Sequence, residues 1–425
     1  TWGPGWNGFN PVAFVSEDAG FDNNQFNYFR GLVKLNYEPI QDLILSLSYA
    51  PQHNGSNRKR FVGQYDFISY ADGSSGTTPG QNSLLQSYSK SHQDNFNFLI
   101  NYSKEFTGEH KLSGLLGYEN LKNTSSNFQA SRRNFVLEEF PELSNGDQDT
   151  QENLGVSTLN GLESVFGRVN YTYKDRYLVE ANLRRDASSR FAKGYRADWF
   201  PSFSVGWNIT EEPFFRENSA ITFLKLRGSW GKLGNQGTPN NFNYVALFEL
   251  GENPVIGNAP ITGGAQTVLS NPFIRWESTT TSNIAIDSKF LDNRLSLTAE
   301  YYERTTDDIL LQGNSGVPPS VGLIAPVQNI GSVENKGWDI AIDWQDQAGD
   351  DFTYGVNFNI SDVENKVTDL GGLNELPPGK TIIRVGEAIN SIYGLKKMGL
   401  FQNQAEIDGA PVQNFGAYAP GDIRY

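Results

Sequence analysis

The densest group of charged residues in this sequence lies at Arg184, Arg185, Asp186 and Arg190. Guanidinium groups beside a carboxylate can hold a bound polar molecule, or they can form a network of ion pairs that supports the structure. We favour the second interpretation, a charge network on the water-facing side of one strand and its loop. The chemistry expected here is binding, not bond cleavage.

Aromatic residues form a second group of candidates, in segments rich in turn residues. They include Tyr65, Phe67 and Tyr70, then Phe242, Tyr244 and Phe248, and later Phe273 and Trp276. Flat rings of this kind can stack on sugar rings or on peptide side chains. Packing of the loops against one another, or against a lid protein, explains them equally well. Our candidate ligand contacts are Tyr65, Tyr70, Tyr244 and Trp276.

Metal and acid–base chemistry have weaker support. His53, His92 and His110 lack the spacing of a zinc-binding helix, so we predict no metal site. Asp147 and Asp149 could offer oxygens to a calcium ion in an external loop, but the full ligand spacing is missing. No phosphate-binding glycine loop and no catalytic nucleophile stands out. We therefore expect a protein that is not an enzyme and has no cofactor, with the calcium ion as an open alternative.

The composition favours β-strands and argues against binding to nucleic acids. Aromatic residues make up 13% of the 425 residues, and glycine contributes 43. The net charge of −14 opposes phosphate binding, and no basic stripe offsets it. Cysteine is absent, which excludes disulfides and thiolate sites. Mean hydropathy is −0.48, and no run of about 18 apolar residues predicts a membrane helix. A signal peptide would have been removed or would lie upstream of Thr1.

Apolar residues recur at every second position along most of the chain, a pattern typical of β-strands. Residues Leu43, Leu45, Leu47 and Tyr49 show it clearly. We predict about thirteen strands, near the length of roughly 10 residues that a tilted strand needs to cross a bilayer. They are expected at 29–37, 43–49, 96–102, 112–118, 165–173, 177–183, 203–209, 224–230, 284–290, 295–301, 338–344, 352–360 and, more weakly, 392–401.

The connections between these strands alternate between short and long. Residues 38–41, 107–109, 174–176 and 291–293 are short links, whereas 51–93, 123–161, 233–278 and 305–334 are long. A transmembrane barrel has tight turns on the periplasmic side and long loops outside, which explains this alternation. Aromatic residues at strand ends fit membrane interfaces, and residues such as Asn95 and Asn97 would face a wet lumen. Core packing in a soluble β-protein is the alternative. We predict an all-β fold, a transmembrane antiparallel β-barrel.

Several motifs resemble one protein family. They are residues 166–171, 173–178, 184–191, 200–202, 206–207, 224–227, 234–236, 276–277, 329–337 and 421–425. Together they are similar to SusC/RagA-type TonB-dependent transporters of Bacteroidetes, over essentially the whole chain. The resemblance implies a barrel of about 22 strands, an N-terminal plug, a TonB box and a SusD-like lipoprotein lid. It also implies energy from TonB with ExbB–ExbD.

On this resemblance the expected function is TonB-dependent import of an oligosaccharide or peptide nutrient across the outer membrane, in contact with outer-membrane lipid. No plug or TonB box is visible, and relatives continue beyond Tyr425. We therefore expect residues 1–425 to form one partial barrel domain, without the plug and the final strands. Two alternatives stay open: an outer-membrane scaffold for surface lipoproteins or a secretion assembly, and a secreted β-rich glycan-binding or hydrolytic protein.

Overall fold

The computed structural model describes residues 11–68, 73–215, 220–238, 240–251, 255–256, 259–260, 263–312, 320, 322–376, 378–414 and 416–425. The chain divides into two compact units. The first comprises Thr1–Pro213, Gln236–Gln266 and Ser270–Trp276, and the second comprises Phe214–Asn235, Thr267–Leu269 and Glu277–Tyr425. Both are built mainly of antiparallel strands.

The first unit opens with a short helix, α1 (Pro11–Phe14), and then ten strands follow. These are β1 (Gly20–Arg30), β2 (Val33–Ile40), β3 (Leu43–Val62), β4 (Tyr65–Ile68), β5 (Ser75–Thr78), β6 (Ser83–Phe106), β7 (His110–Arg133), β8 (Glu152–Tyr173), β9 (Tyr177–Ser188) and β10 (Ala197–Asn208). Single 3-10 turns lie at Glu17–Ala19, Leu143–Asn145, Gln148–Thr150 and Ile209–Glu211. The long strands are ordered β1-β3-β6-β7-β8-β9-β10, and β4 pairs with β5.

Strands β1 and β2 pair with successive halves of β3 and act as one interrupted strand. Strand β2 pairs with the first half of β3, and β1 pairs with the second half, from Gln52 to Val62. The interruption lies opposite Pro51, which has no N–H to donate to the ladder. The N–H of Gly31 donates to the Pro51 carbonyl at 2.9 Å, so pairing resumes at once.

The second unit begins with β11 (Phe223–Asn235). Four two-residue strands then belong to the first unit: β12 (Glu249–Leu250) pairs with β15 (Gly264–Ala265), and β13 (Val255–Ile256) pairs with β14 (Ala259–Pro260). The second unit continues with β16 (Glu277–Phe290), β17 (Leu295–Gln312), β18 (Val327–Ala348) and β19 (Phe352–Leu370), which follow β11 in that order across the sheet. Its remaining elements are β20 (Thr381–Ile382), β21 (Ser391–Ile392), β22 (Gly399–Leu400), α2 (Gln404–Asp408) and β23 (Ile423–Arg424).

The all-β prediction is confirmed, with two corrections in detail. Eight strands of the first unit and five of the second make thirteen main strands among the described residues. The thirteenth predicted strand, at 392–401, is wrong: only β21 and β22, of two residues each, lie there. In its place, the first predicted strand is split into β1 and β2.

Many strands are also longer than predicted. Strands β6 and β7, for example, each run for 24 residues. The predicted long loops 51–93 and 123–161 therefore shrink to 63–82 and 134–151. The alternation of loop lengths persists, since the links 107–109 and 174–176 stay short.

Each unit presents one apolar and one polar face. In the first, an apolar row of residues in direct register crosses four strands: Leu47, Phe98, Tyr118 and Val165. The next row, on the opposite face, is polar: Ser48, Asn97, Glu119, Ser164 and Asp186. In the second unit, the apolar row is Leu226, Ile286, Ala299, Ile340 and Ile360.

The apolar faces are open, and Phe98 and Val165 are 37% and 45% exposed. An uncovered apolar face of this extent is costly in water and favourable in lipid. No helix among the described residues is long and apolar enough to cross a membrane.

Candidate functional site

Arg184 lies on the polar face of β9, at the centre of a network that spans three strands. Its Nη2 donates to Glu119 Oε2 of β7 at 2.8 Å and to Ser164 Oγ of β8 at 2.7 Å. Its Nε donates to Asp186 Oδ1 at 2.6 Å. The guanidinium also lies 4.9 Å from the centroid of the Phe166 ring. The arginine is therefore fixed by two carboxylates and a ring.

Amide side chains extend this network across the polar face. Asn95 Nδ2 donates to the second oxygen of Glu119 at 3.3 Å, and Asn97 Nδ2 donates to Asn95 Oδ1 at 2.8 Å. On β9, Asn182 Nδ2 donates to Glu180 Oε1 at 2.8 Å. Asn95 and Asn97, which the sequence pattern places on the polar face, thus belong to the Arg184 network, and Asn182 and Glu180 form a separate pair beside it.

The four charged residues of the predicted motif do not form one cluster in the structure. Only Arg184 and Asp186 pair, because strand alternation places Arg185 on the opposite face, in register with Val165 and Trp199. Arg190 follows the strand, and its backbone N–H donates to Ser188 Oγ at 3.2 Å.

The second unit contains a matching network that the sequence alone does not predict. Arg227 of β11 donates from Nε to Asp287 of β16 at 3.0 Å and from Nη2 to Glu300 of β17 at 2.8 Å. Asn283 donates to the other oxygen of Glu300. The available clue was an arginine and two carboxylates at the polar positions of three alternating strands. Each unit therefore holds one arginine between two carboxylates.

The candidate aromatic residues differ in their surroundings. Trp276 is 4% exposed, and its ring centroid lies 5.4 Å from that of Phe191 and 5.3 Å from that of Phe200. Its Nε1 donates to the Arg196 carbonyl at 2.8 Å. Tyr65 lies in β4 and is 7% exposed. The burial of both residues, and the ring contacts and hydrogen bond of Trp276, favour a structural role for them.

Tyr244 is the candidate that borders open space. It lines a cavity of about 430 Å³ with Phe242, Lys122, Asn160 and Arg196. Tyr70 lies outside the described residues. Tyr244, with Phe242 beside it, therefore stays a candidate for ligand contact.

The histidines are closer together than their spacing suggested. His53 of β3 and His92 of β6 lie directly opposite each other, with ring centroids 6.0 Å apart. His110 lies at the other end of the strands, where a ring nitrogen is 2.7 Å from the Tyr171 hydroxyl. In the described part of the chain, no group of three metal-ligating residues occurs. The Asp147 carboxylate accepts hydrogen bonds from Asp149 N at 3.0 Å and Asn134 Nδ2 at 3.3 Å.

A carboxylate fixes the aromatic residues at the short-turn end of the first unit. Glu212 accepts hydrogen bonds from the Tyr177 hydroxyl and from Trp207 Nε1, the latter at 3.0 Å. Arg176 lies 3.7 Å from its second oxygen. The hydrogen bonds from Tyr177 and from Trp207, together with the charge of Arg176, hold the pKa of Glu212 below its ordinary value. Burial acts in the opposite direction. Aromatic rings anchored in this way fit a membrane interface.

This pKa shift predicts a pH dependence. A folded-state pKa below the ordinary 4.5 stabilises the fold fully above that pH, and the contribution is lost as the pH falls through the lower folded value. We expect the thermal midpoint of the full-length protein to fall more steeply on acidification than that of Glu212→Gln. Glu211→Gln, at an exposed neighbour, is the control and should behave as wild type. Equal slopes in all three proteins would contradict the assignment.

Antiparallel strands with one apolar and one polar face, joined by alternating short and long links, define the wall of an outer-membrane β-barrel. The family model described as "TonB dependent receptor-like, beta-barrel" matches residues 1–391, and the chain belongs to this family. It is therefore an outer-membrane protein, and the predicted resemblance to SusC/RagA-type proteins is confirmed.

Relatives with assigned names support the same family. TonB-dependent receptor P26 of Formosa agariphila is 29% identical over 425 residues, covering 95% of this chain and 41% of the relative. TonB-dependent receptor SusC of Bacteroides thetaiotaomicron is 33% identical over 287 residues, covering 63% of this chain and 28% of the relative. The chain thus spans about two-fifths, or 41%, of the length of the first relative.

Solved structures agree on the fold. The RagAB peptide importer in its "closed-closed" state superposes with a TM-score of 0.77 at 22% identity, covering 92% of this chain and 42% of that chain. At this identity the likeness concerns the fold alone.

Proposed function

We propose that the chain forms part of a TonB-dependent importer that carries an oligosaccharide or peptide nutrient across the outer membrane. The polar wall around Arg184 is the observation that carries this proposal. It places hydrogen-bonding side chains on the face opposite the lipid-compatible one, where a hydrophilic molecule would pass. The Arg227 network gives the second unit a wall of the same chemistry.

The family relationship suggests the partners. One relative is named SusC, and one structural neighbour is titled a peptide importer, RagAB. We propose a SusD-like surface lipoprotein as the partner at the long-loop end and TonB with ExbB–ExbD as the source of energy. The aromatic residues beside Tyr244 would then contribute ligand contacts at the same end.

Gene deletion tests the importer proposal. Growth of the deletion strain on a panel of purified polysaccharides and peptide mixtures should fail on one of them and recover on complementation. Unchanged growth and uptake on every tested nutrient would count against import.

Purification of the tagged full-length protein tests the partner. Recovery of one SusD-like lipoprotein supports the proposal. Recovery of several unrelated surface proteins would favour a scaffold instead.

A further inference from the structure

A surface without ionisable side chains lies on the polar face of the first unit, between the Arg184 network and the long links 63–82 and 134–151. We call it the neutral grid and define it as three rows in direct register across β3, β6, β7 and β8. The rows are Gln52, Gln93, Asn123 and Asn160; Asn54, Ser91, Ser125 and Thr158; and Ser56, Ser89, Asn127 and Val156. They lie an even number of residues from Ser48, Asn97, Glu119 and Ser164 on the same strands and therefore share their face. All but Val156 carry an amide or a hydroxyl.

Hydrogen bonds between neighbouring strands fix the side chains of the grid. The donor–acceptor distance is 3.1 Å in each of three amide pairs: Asn54 Nδ2 to Ser91 Oγ, Asn123 Nδ2 to Asn160 Oδ1, and Asn127 Nδ2 to Ser89 Oγ. The hydroxyls of Ser125 and Thr158 are 2.6 Å apart. A primary amide has two N–H donors and an oxygen that accepts twice, so each pair uses only part of this capacity. The grid therefore presents donors and acceptors at fixed positions, which lowers the entropy cost of binding a ligand.

Charged residues border the grid without entering it. Arg58, one row beyond the grid, pairs with Asp22 of β1 through two hydrogen bonds, and the one from Nε is 2.7 Å long. Arg30 is exposed to solvent and lies opposite Gln52 at one corner. Glu119 is separated from the grid by an uncharged row, Ala50, Asn95, Leu121 and Leu162. An ionised ligand group within the grid would lose water without gaining a counter-ion, which is costly.

Two exposed aromatic rings flank the grid on β1. Phe26 lies opposite Ser56, and Tyr28 lies opposite Asn54, so both rings share the face of the grid. Phe26 and Tyr28 are 74% and 63% exposed. Flat rings of this kind can stack on the apolar faces of a ligand ring.

Phe26 and the grid enclose a cavity. Its volume is about 370 Å³, and residues of all four grid strands line it. This volume lies within the range of roughly 300–1,000 Å³ that is usual for ligand sites. Lys90 also borders the cavity, although strand alternation places its side chain on the opposite face of β6. The cavity thus combines one aromatic ring with neutral hydrogen-bonding groups.

We propose that the neutral grid, with Phe26 and Tyr28, binds an uncharged oligosaccharide. Sugar hydroxyls both donate and accept hydrogen bonds, as the amides and hydroxyls of the grid do, and a sugar ring stacks on Phe26 or Tyr28. The grid measures roughly 14 Å in each direction, which leaves room for more than one sugar ring. A peptide would bring ionised termini, and an acidic or sulfated glycan would bring anions, which the grid does not complement. The inference rests on the proposed import function and narrows the nutrient to a neutral glycan.

Calorimetric titration of the detergent-solubilised full-length protein with maltohexaose, laminarihexaose, xylohexaose and mannohexaose tests the proposal. We expect at least one of these glycans to bind, and Asn54→Leu to bind it about fivefold more weakly, the effect of one lost hydrogen bond. Phe26→Ala/Tyr28→Ala should weaken binding roughly tenfold through the loss of stacking. Asn57→Leu is the matched control, because Asn57 lies on the opposite face of β3. Its affinity should stay within about twofold of wild type.

Charge selectivity provides the second arm. Hexagalacturonate should bind more weakly than the preferred neutral glycan, and Arg30→Gln should bind that glycan as wild type does. Heat-dependent mobility in gels confirms that each variant is folded. Failure of all four neutral glycans to bind, tighter binding of hexagalacturonate or of a hexapeptide, or a loss of neutral-glycan binding in Arg30→Gln would overturn the proposal.

Gene deletion separates this inference from the function on which it rests. A growth defect confined to a peptide mixture or to an acidic polysaccharide would leave import standing and overturn the neutral-glycan site. Deletion without any growth defect would count against import itself. A defect confined to a neutral polysaccharide whose oligosaccharides bind the purified protein would support both.

Discussion

Replacing Phe98 by arginine is expected to lower the free energy of unfolding of the barrel by about 2–4 kcal/mol, the range for a cation near the bilayer midplane. Phe98 lies in the middle of the apolar positions of β6, between Phe96 and Ile100. Its ring is 37% exposed on the open apolar face, where the surrounding lipid cannot solvate a guanidinium. Urea-induced unfolding of the full-length protein from phospholipid vesicles measures the loss.

The matched control for this prediction is the next residue. Asn97 occupies the polar face of the same strand, in register with Glu119, so Asn97→Arg adds its charge to a wet wall beside a carboxylate. We expect a change below about 1 kcal/mol, typical of an exposed ion pair. Equal losses in the two variants would show that the faces are not exposed to different solvents.

Trp276→Ala is expected to destabilise the loop region of the first unit by about 3–5 kcal/mol, the usual cost of deleting a buried indole. The indole packs between Phe191 and Phe200, and its Nε1 donates to the Arg196 carbonyl. Hydrogen exchange of residues 189–196 in the full-length protein reports the local loss, and these amides should exchange much faster in the variant.

Phe273→Ala provides the comparison for Trp276. Phe273 is 68% exposed and contacts Tyr195 edge-on at 6.1 Å, so its removal should cost less than about 1 kcal/mol. If Trp276→Ala left exchange unchanged and abolished ligand binding, Trp276 would be a ligand contact, contrary to the role its packing indicates.

Strand positions and faces were predictable from sequence, because the period-two pattern is a local property of the chain. This pattern alone predicts that Asn95 and Asn97 share the polar face, and in the structure they lie there beside Glu119. Strand ends were not predictable in the same way. Beyond the bilayer the alternation of apolar and polar residues fades, while backbone pairing continues, so β3 extends to Val62 although no apolar pattern marks its second half.

Contacts between distant strands were the part that sequence could not provide. Arg184 and Asp186 were singled out as a charged motif, but Glu119, which lies 65 residues away along the chain, completes the network. The motif also includes Arg185, which lies between Arg184 and Asp186 in the sequence. In a strand, however, adjacent residues lie on opposite faces, so proximity in sequence separates them in space.

For the histidines the reverse holds: residues far apart in the sequence lie close together in space. The sequence spacing of His53 and His92 does not match a zinc-binding helix, and 39 positions separate them. The register of β3 with β6 brings them into direct opposition. Predicting that pair would have required the register, which depends on the whole hairpin and the loop that joins its strands.

Solvent accessibility along β6 tests whether one face of the strand contacts lipid and the other contacts water. A single cysteine is introduced at each of residues 96–101 of β6 in the full-length protein, with any cysteine outside residues 1–425 replaced by serine, and is spin-labelled in bilayers. We expect a period of two: labels at 96, 98 and 100 relaxed by lipid-dissolved oxygen, and labels at 97, 99 and 101 relaxed by a water-soluble nickel complex. Accessibility without this alternation, or with the two sets reversed, would contradict a membrane barrel with a polar interior.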